Sequence, residues 1–328
     1  MKKKIRVDLY GFVSMIFVII FCLMAAIRDA EIGTDTSTYI YLFDSISNGG
    51  ELARDIELGF YWIISIFGWM GNVKFLFFFV PLAIIILSSN LFNTGLGWKF
   101  YISCLCFFLS PFFYGHVINI LRQGLAFAII AYMLQSCFDN NKKSVVYILL
   151  AGLFHSIGFI FAFLAYISRF IGVRGSIFLW IFGAILGLVI STNSMLINVL
   201  MNLVNSDYIS GYFSPGSLDY NYGLRLDFLI FSFGLGILGL ILIIPRRGAS
   251  NRILSCDLMR YIVKSYFVMN GFGLIFLQMP YADRWLNWSW ALTPLFLIGI
   301  FDSIESKSMK SSVLFLASIL MPMQILYQ

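Results

Sequence analysis

Asn119-Ile120-Leu121-Arg122-Gln123-Gly124-Leu125-Ala126 stands inside an apolar run, Phe107 to Met133, in which Arg122 is the only charged side chain. A charge at membrane depth costs about 2.5–3.5 kcal/mol even on the lenient insertion scales, so it normally faces a wet cavity or an anionic partner. Two readings follow. Arg122 either snorkels from a helix end, with an apolar stem and a solvated head, or it clamps an anion inside a membrane site.

The composition around this stretch sets the class. Of 328 residues, 60% are hydrophobic and 12% charged, against about 25% charged in soluble domains. This describes an all-α polytopic integral membrane protein, a single transmembrane domain over residues 1–328 with no sizeable soluble part. The formal charge of +6, from 22 basic and 16 acidic residues, reports topology before it reports nucleic-acid binding. The five cysteines, Cys22, Cys104, Cys106, Cys137 and Cys256, lie in or beside apolar segments. With no histidine close by in sequence, the Cys104-x-Cys106 pair reads as packing rather than zinc or disulfide chemistry.

Runs long enough to span, or nearly so, lie at 10–27, 73–92, 99–114, 116–137, 144–170, 176–193, 228–244, 259–279, 286–301 and 311–327, about ten in all. The first follows Met1-Lys2-Lys3-Lys4-Ile5-Arg6 and ends in Ala25-Ala26-Ile27-Arg28 with no clear cleavage site, so it reads as a retained helix with its basic end in the cytoplasm. The stretch Arg28–Leu58 then lies outside, with two basic residues, Arg28 and Arg54, against seven acidic ones. A second external loop is expected at 194–227. The basic runs at 139–143, 246–252 and 307–310 belong in the cytoplasm, and simple alternation allows this only if 144–170 enters and returns. A re-entrant or broken helix near Phe154-His155-Ser156 is therefore expected, where non-helical backbone lines a cavity.

With that topology Arg28, Asp35, Glu57, His116, Arg122, His155, Arg225, Asp227, Asp283 and Arg284 sort to the external face and rim a cavity. The segment Glu57–Met70 is too short to span and is expected along the interface. Asp35, in Gly33-Thr34-Asp35-Thr36, caps a helix or orients a sugar hydroxyl. Tyr39, Tyr41 and Phe43 offer aromatic faces to a sugar ring or to the core. On one continuous helix, Asn119, Arg122 and Gln123 share a stripe at i, i+3 and i+4, and the arginine fork suits phosphate oxygens. His155 either satisfies backbone at the break or acts as a general base; His116, in a short turn, reads as a surface residue. Arg225 and Asp227, at i and i+2, are not spaced for a helical ion pair. Asp283-Arg284 opens a helix whose Trp285, Trp288 and Trp290 mark an interface, and Arg284 there is an anchor or a second anion ligand. No phosphate loop, zincin signature or nucleophile elbow is present.

The order of these motifs resembles the EpsG family, grouped with Wzy-type O-antigen and capsule polymerases. The resemblance runs through an arginine after the first helix, Gly33-Thr34-Asp35-Thr36 with Tyr39, Glu57-Leu58-Gly59-Phe60-Tyr61, Leu121-Arg122-Gln123-Gly124-Leu125-Ala126 and Phe154-His155-Ser156. Where the family often has proline after the acidic residue, this chain has Leu58.

The resemblance implies a polysaccharide polymerase of the plasma membrane, acting at its external face on oligosaccharide units carried by undecaprenyl diphosphate. An acceptor hydroxyl attacks the donor's anomeric carbon and polyprenyl diphosphate leaves. The leaving group is already activated, so neither nucleotide, metal nor other cofactor is required. It implies catalytic roles for Arg122, His155, Asp35 and Glu57, and substrate binding by Arg28, Tyr39, Asn119, Gln123, Arg225, Asp283 and Arg284. The lipid bilayer and a chain-length regulator protein are the implied partners, and nucleic acid is not. A flippase of the same lipid-linked saccharide and a membrane acyltransferase centred on His155 stand as alternatives.

Overall fold

The structure is a computed structural model of the chain and describes residues 9–33, 35–49, 56–89, 98–138, 144–191, 224–244, 255–279 and 281–304. Among these, every regular element is an α-helix. Arg54, the basic runs, the apolar run at 311–327 and the greater part of the 194–227 loop lie outside the described residues. The chain divides into two compact units, one drawn from Met1–Phe163, Arg246–Leu258 and Pro294–Gln328, the other from Leu164–Pro245 and Met259–Thr293.

In the first unit α1 (Leu9–Ala26), α4 (Val73–Ser89) and α7 (Leu121–Phe138) answer three of the apolar runs, with α2 (Thr36–Ser47) and α3 (Leu58–Trp69) between them. The expected runs 99–114 and 116–137 are cut differently. Helix α5 (Trp98–Phe108) stops before Pro111, which starts α6 (Pro111–Ile118) at a position where its missing N–H costs nothing. The Gly115 carbonyl then accepts from both Asn119 N (2.8 Å) and Ile120 N (3.0 Å), which closes α6 and breaks the chain before α7. Helix α7 is buried on nearly every side and packs on α4, α6 and α8 (Ser144–Phe154). Its Gly124 lies under the His116 carbonyl, and a Cβ there would meet that oxygen, so the α6–α7 corner closes only around glycine.

The 144–170 run is interrupted where expected. Helix α8 ends at Phe154 and α9 (Ser156–Ile167) begins two residues on, with His155 between them. Gly158 N turns to the His155 carbonyl at 2.8 Å, which starts the new helix.

In the second unit α10 (Val173–Ser191), α11 (Leu226–Leu242), most of α12 (Cys256–Leu274) and α13 (Ala282–Trp290) surround Asn270. Its Oδ1 accepts from Trp180 Nε1 (2.9 Å), and its Nδ2 donates to Ser289 Oγ (2.8 Å) and Ser232 Oγ (3.2 Å). Trp290 Nε1 also donates to Ser232 Oγ, at 3.0 Å. Each of these helices contributes a group, and the network is fully buried. We expect Asn270→Leu, by orphaning the buried Trp180 N–H at about 1–3 kcal/mol, to lower the thermal transition of the detergent-solubilised protein by about 2–4 °C for each kcal/mol lost; an unchanged transition would exclude a structural role for the network. Alongside it, Gly183 and Gly187 of α10 rest directly on the Gly271 and Leu274 carbonyls of α12, the small-xxx-small spacing that lets membrane helices approach backbone to backbone. Beyond α13 the chain enters α14 (Thr293–Ser303).

Helix faces away from these contacts are apolar and exposed. Helix α1 presents Phe12, Ile16, Ile20 and Leu23, and α10 presents Phe178, Phe182, Ile185 and Val189. Soluble proteins rarely expose contiguous apolar surface beyond a few hundred Å², and lipid is the solvent that suits such faces. Helices α7 and α10 each hold an 18-residue window long and apolar enough to cross a bilayer. These faces and windows mark a membrane protein whose regular elements, among the described residues, are all helices.

Several expectations need correction. His116 is not on the surface: its ring is fully buried in α6, with Nδ1 2.7 Å from the Phe112 carbonyl and one face stacked on Phe127. Asn119 is the C-cap of α6 and not part of α7, so the stripe joining it to Arg122 and Gln123 does not form; Gln123 is buried in the packing of α7. Cys104 and Cys106 are buried as read, as are Cys22 and Cys137, whereas Cys256 is exposed. Arg225 and Asp227 do pair, through Nη2–Oδ2 at 2.6 Å and Nε–Oδ1 at 3.0 Å. The i, i+2 rule applies inside a helix, and Arg225 is the N-cap of α11, where non-helical backbone (φ −88°, ψ 83°) lets its side chain reach the first turn.

Candidate functional site

The candidate site forms where helices of the first unit begin. The starts of α2, α3, α7 and α9 carry its residues. Helix starts bear about half a positive charge each from their aligned peptides and exposed N–H groups, so the region favours anions before any side chain is added.

Glu57 is the hub. It is the N-cap of α3, in extended conformation (φ −67°, ψ 140°), but its carboxylate does not cap its own helix. Oε2 accepts from Arg122 Nη1 at 2.8 Å, and Oε1 accepts from the backbone N–H of Ser156, the first residue of α9, at 3.2 Å. The same Oε1 lies 3.5 Å from His155 Nδ1. The break between α8 and α9 is what frees Ser156 N–H for this bond, since in an unbroken helix it would point to the carbonyl four residues back. Leu58 takes the first helical position of α3, a position that proline also suits. Gly59 brings α3 against the end of α8, since a Cβ there would stand 2.7 Å from the Leu153 carbonyl.

Arg122 sits in the first turn of α7, a place where a cation opposes the helix dipole. Glu57 offsets that placement. Arg122, Glu57 and His155 are all partly exposed, at 24%, 15% and 22% of their side chains, enough for solute to reach them and too little for bulk water to screen them fully.

A second cation stands nearby. Arg28 follows α1, stacks 4.0 Å over the Phe77 ring, and donates from Nε to Thr36 Oγ1 (3.1 Å) and from Nη1 to the Ala25 carbonyl (3.2 Å). Burial pulls its pKa down to about 10, which still leaves it charged at neutral pH. Tyr39 links the two arginines electrostatically. The buried phenol, tilted against Phe60 at 5.5 Å, is pushed up to about 12 by burial against the opposing pull of Arg122. Its burial assigns it to packing rather than to an open sugar platform. Asp35 occupies the N-cap of α2 without a side-chain cap bond, and its charge is felt by Tyr39. The Asn119 carboxamide oxygen lies against Gly33, the residue that turns the chain toward α2.

The remaining predicted residues belong to the second unit. Arg225, paired with Asp227, stacks 3.9 Å over Phe228. Asp283 and Arg284 lie in the first turn of α13, and Arg284 stands 4.7 Å over Tyr281, whose left-handed backbone (φ 59°) starts that helix. What the sequence did not reveal is Thr36 as the partner of Arg28, Phe77 as its platform, and the Ser156 N–H as a ligand of Glu57. The threonine and the serine stand inside the quoted motifs, but only the folded chain shows which groups they meet.

Chemically, the first-unit cluster is a cation held by a carboxylate, next to an imidazole, at the positive ends of several helices. It can bind an anion and move a proton a few ångströms away. No curated protein and no solved structure matches the chain. A family model does, over residues 11–328, essentially the whole length. Arg28, Asp35, Glu57, Arg122 and His155 all fall within that match, and with it the chain belongs to the EpsG family.

Proposed function

We propose that this protein is a polysaccharide polymerase that joins oligosaccharide repeat units carried on undecaprenyl diphosphate, at the external face of the bacterial plasma membrane. The observation that carries the reading is the Arg122–Glu57–His155 constellation at the converging helix starts. Membership of the EpsG family supports a polymerase-type role in polysaccharide biosynthesis.

In this reading the acceptor sugar's hydroxyl oxygen bonds to the donor's anomeric carbon as the bond from that carbon to the diphosphate oxygen breaks. The bonding pair leaves with polyprenyl diphosphate. Negative charge grows on the leaving oxygen, and Arg122, with Arg28 behind it, supplies positioned donors for it; a single such donor is typically worth about 10²–10³ in rate. The hydroxyl proton goes to His155, and positioned bases of this kind contribute about 10²–10⁴. Glu57 holds His155 in orientation, as the carboxylate does in hydrolase triads. Asp35 stands by at the start of α2 as a group that orients the acceptor hydroxyl.

The test is the surface polysaccharide of a deletion strain, resolved as a gel ladder, with and without the wild-type chain. A polymerase predicts single-unit material in the deletion strain and a restored ladder on complementation. A normal ladder in the deletion strain would rule the reading out. Loss of all surface saccharide, with lipid-linked units retained inside, would point instead to a flippase.

A further inference from the structure

We infer that Glu57 is an internal anion that occupies the cationic site until the diphosphate of the substrate displaces it, and that the exchange hands its carboxylate to His155. The inference rests on the polymerase reading and specifies how that site is switched on.

The contacts of Glu57 carry it. Its two oxygens are engaged by a guanidinium N–H at 2.8 Å and by the leading N–H of α9 at 3.2 Å. Those are the donors that phosphate oxygens prefer, an arginine fork and a helix start. The remaining contact, Oε1 to His155 Nδ1, is 3.5 Å, well beyond the roughly 2.7–2.9 Å of a charge-assisted bond. The resting geometry thus has the carboxylate on the anion donors and nearly, but not fully, on the imidazole. A diphosphate brings more charge and more acceptor oxygens than one carboxylate. It takes Arg122 and the α9 start, and the displaced carboxylate stays tethered, because Glu57 is fixed at the N-cap of α3 and Gly59 pins that helix start to Leu153. Its nearest remaining donor is His155.

The consequence for chemistry is direct. With Nδ1–H donated to Glu57, Nε2 of His155 is the ring's acceptor. As the acceptor sugar's oxygen bonds to the anomeric carbon, its proton passes to Nε2, and the relocated carboxylate stabilises the imidazolium. Once polyprenyl diphosphate is the product, the returning carboxylate competes with it for Arg122 and speeds its release. Glu57 is a positioning residue in this scheme, and the base is armed only when a diphosphate is in place.

The test uses full-length protein in lipid nanodiscs and inorganic pyrophosphate as the probe. Removing an internal competitor strengthens binding, so Glu57→Gln should bind pyrophosphate at least about tenfold more tightly than wild type by calorimetry, within the range usual for coupled sites. Its elongation of lipid-linked units should nevertheless fall by about 100-fold. A purely structural glutamate would weaken both. Unchanged or weaker pyrophosphate binding by a folded Glu57→Gln protein overturns the inference. A second measurement needs no Glu57 variant. The chain has two histidines, so nitrogen NMR of the wild-type imidazoles, assigned by loss of a signal in His155→Gln, should show His155 Nδ1 gaining a strong hydrogen bond as pyrophosphate saturates; an unmoved signal overturns the inference. Binding and exchange are read without turnover. A wild-type protein that shows both but never elongates glycan would therefore refute the polymerase reading and leave the exchange intact.

Discussion

Arg122→Ala and Arg122→Lys are each expected to collapse the polysaccharide ladder to its single-unit band at unchanged membrane abundance. Alanine removes the cation that opposes the diphosphate's charge, and it leaves Glu57, 15% exposed, with the Ser156 N–H and the imidazole as its partners among the described residues. Lysine restores the charge but not the planar fork. Its compact ammonium does not offer the two parallel N–H groups with which a guanidinium grips phosphate oxygens. The loss of one oriented donor at a developing negative charge is worth about 10²–10³ in rate, which for a polymer of many units is the difference between a ladder and none. A full ladder from the lysine variant would show that charge alone suffices, and a full ladder from the alanine variant would remove Arg122 from the site.

The second large effect is expected at His155. His155→Ala and His155→Asn should both lower elongation by about 10²–10⁴; pyrophosphate binding should hold within about threefold in the asparagine variant, whose N–H can still take the displaced carboxylate, and weaken in the alanine variant, which leaves that carboxylate unpaired. Asparagine is the informative variant. It can fill the helix break and offer an N–H close to where Nδ1 stands, so it meets every demand that a purely structural histidine would satisfy. An asparagine variant with wild-type elongation would reduce His155 to a spacer between α8 and α9.

What was legible in advance followed from local chemistry. The interruption at His155 was expected from a topology that places the basic runs before and after 144–170 on one face, and the break is present; Arg122 was readable because a lone cation in an apolar run has few physical excuses. The end of α6 was not, since apolar residues continue across it and the break depends on which carbonyl two N–H groups choose. That choice is also why His116, expected in a turn, became a buried helical side chain. Glu57 was singled out, but nothing in a periodicity couples it to a residue 65 positions away. Its partner was therefore assigned to substrate, and the structure gives Arg122 a carboxylate of the protein's own. The Arg225–Asp227 pair was missed by applying a helix rule one residue too early.

The contact of Gly183 and Gly187 with the Gly271 and Leu274 carbonyls carries a lesson for engineering. At those positions the two rods meet main chain to main chain, and beside them Trp180 of α10 is held by Asn270 and Phe267 of α12, so each helix is keyed to the other by both backbone and side chain. Chimaeras that graft segments between members of the family should therefore treat α10 and α12 as one cassette. A graft that swaps either alone, even for a sequence with the same hydropathy, is expected to yield protein that is made but not assembled.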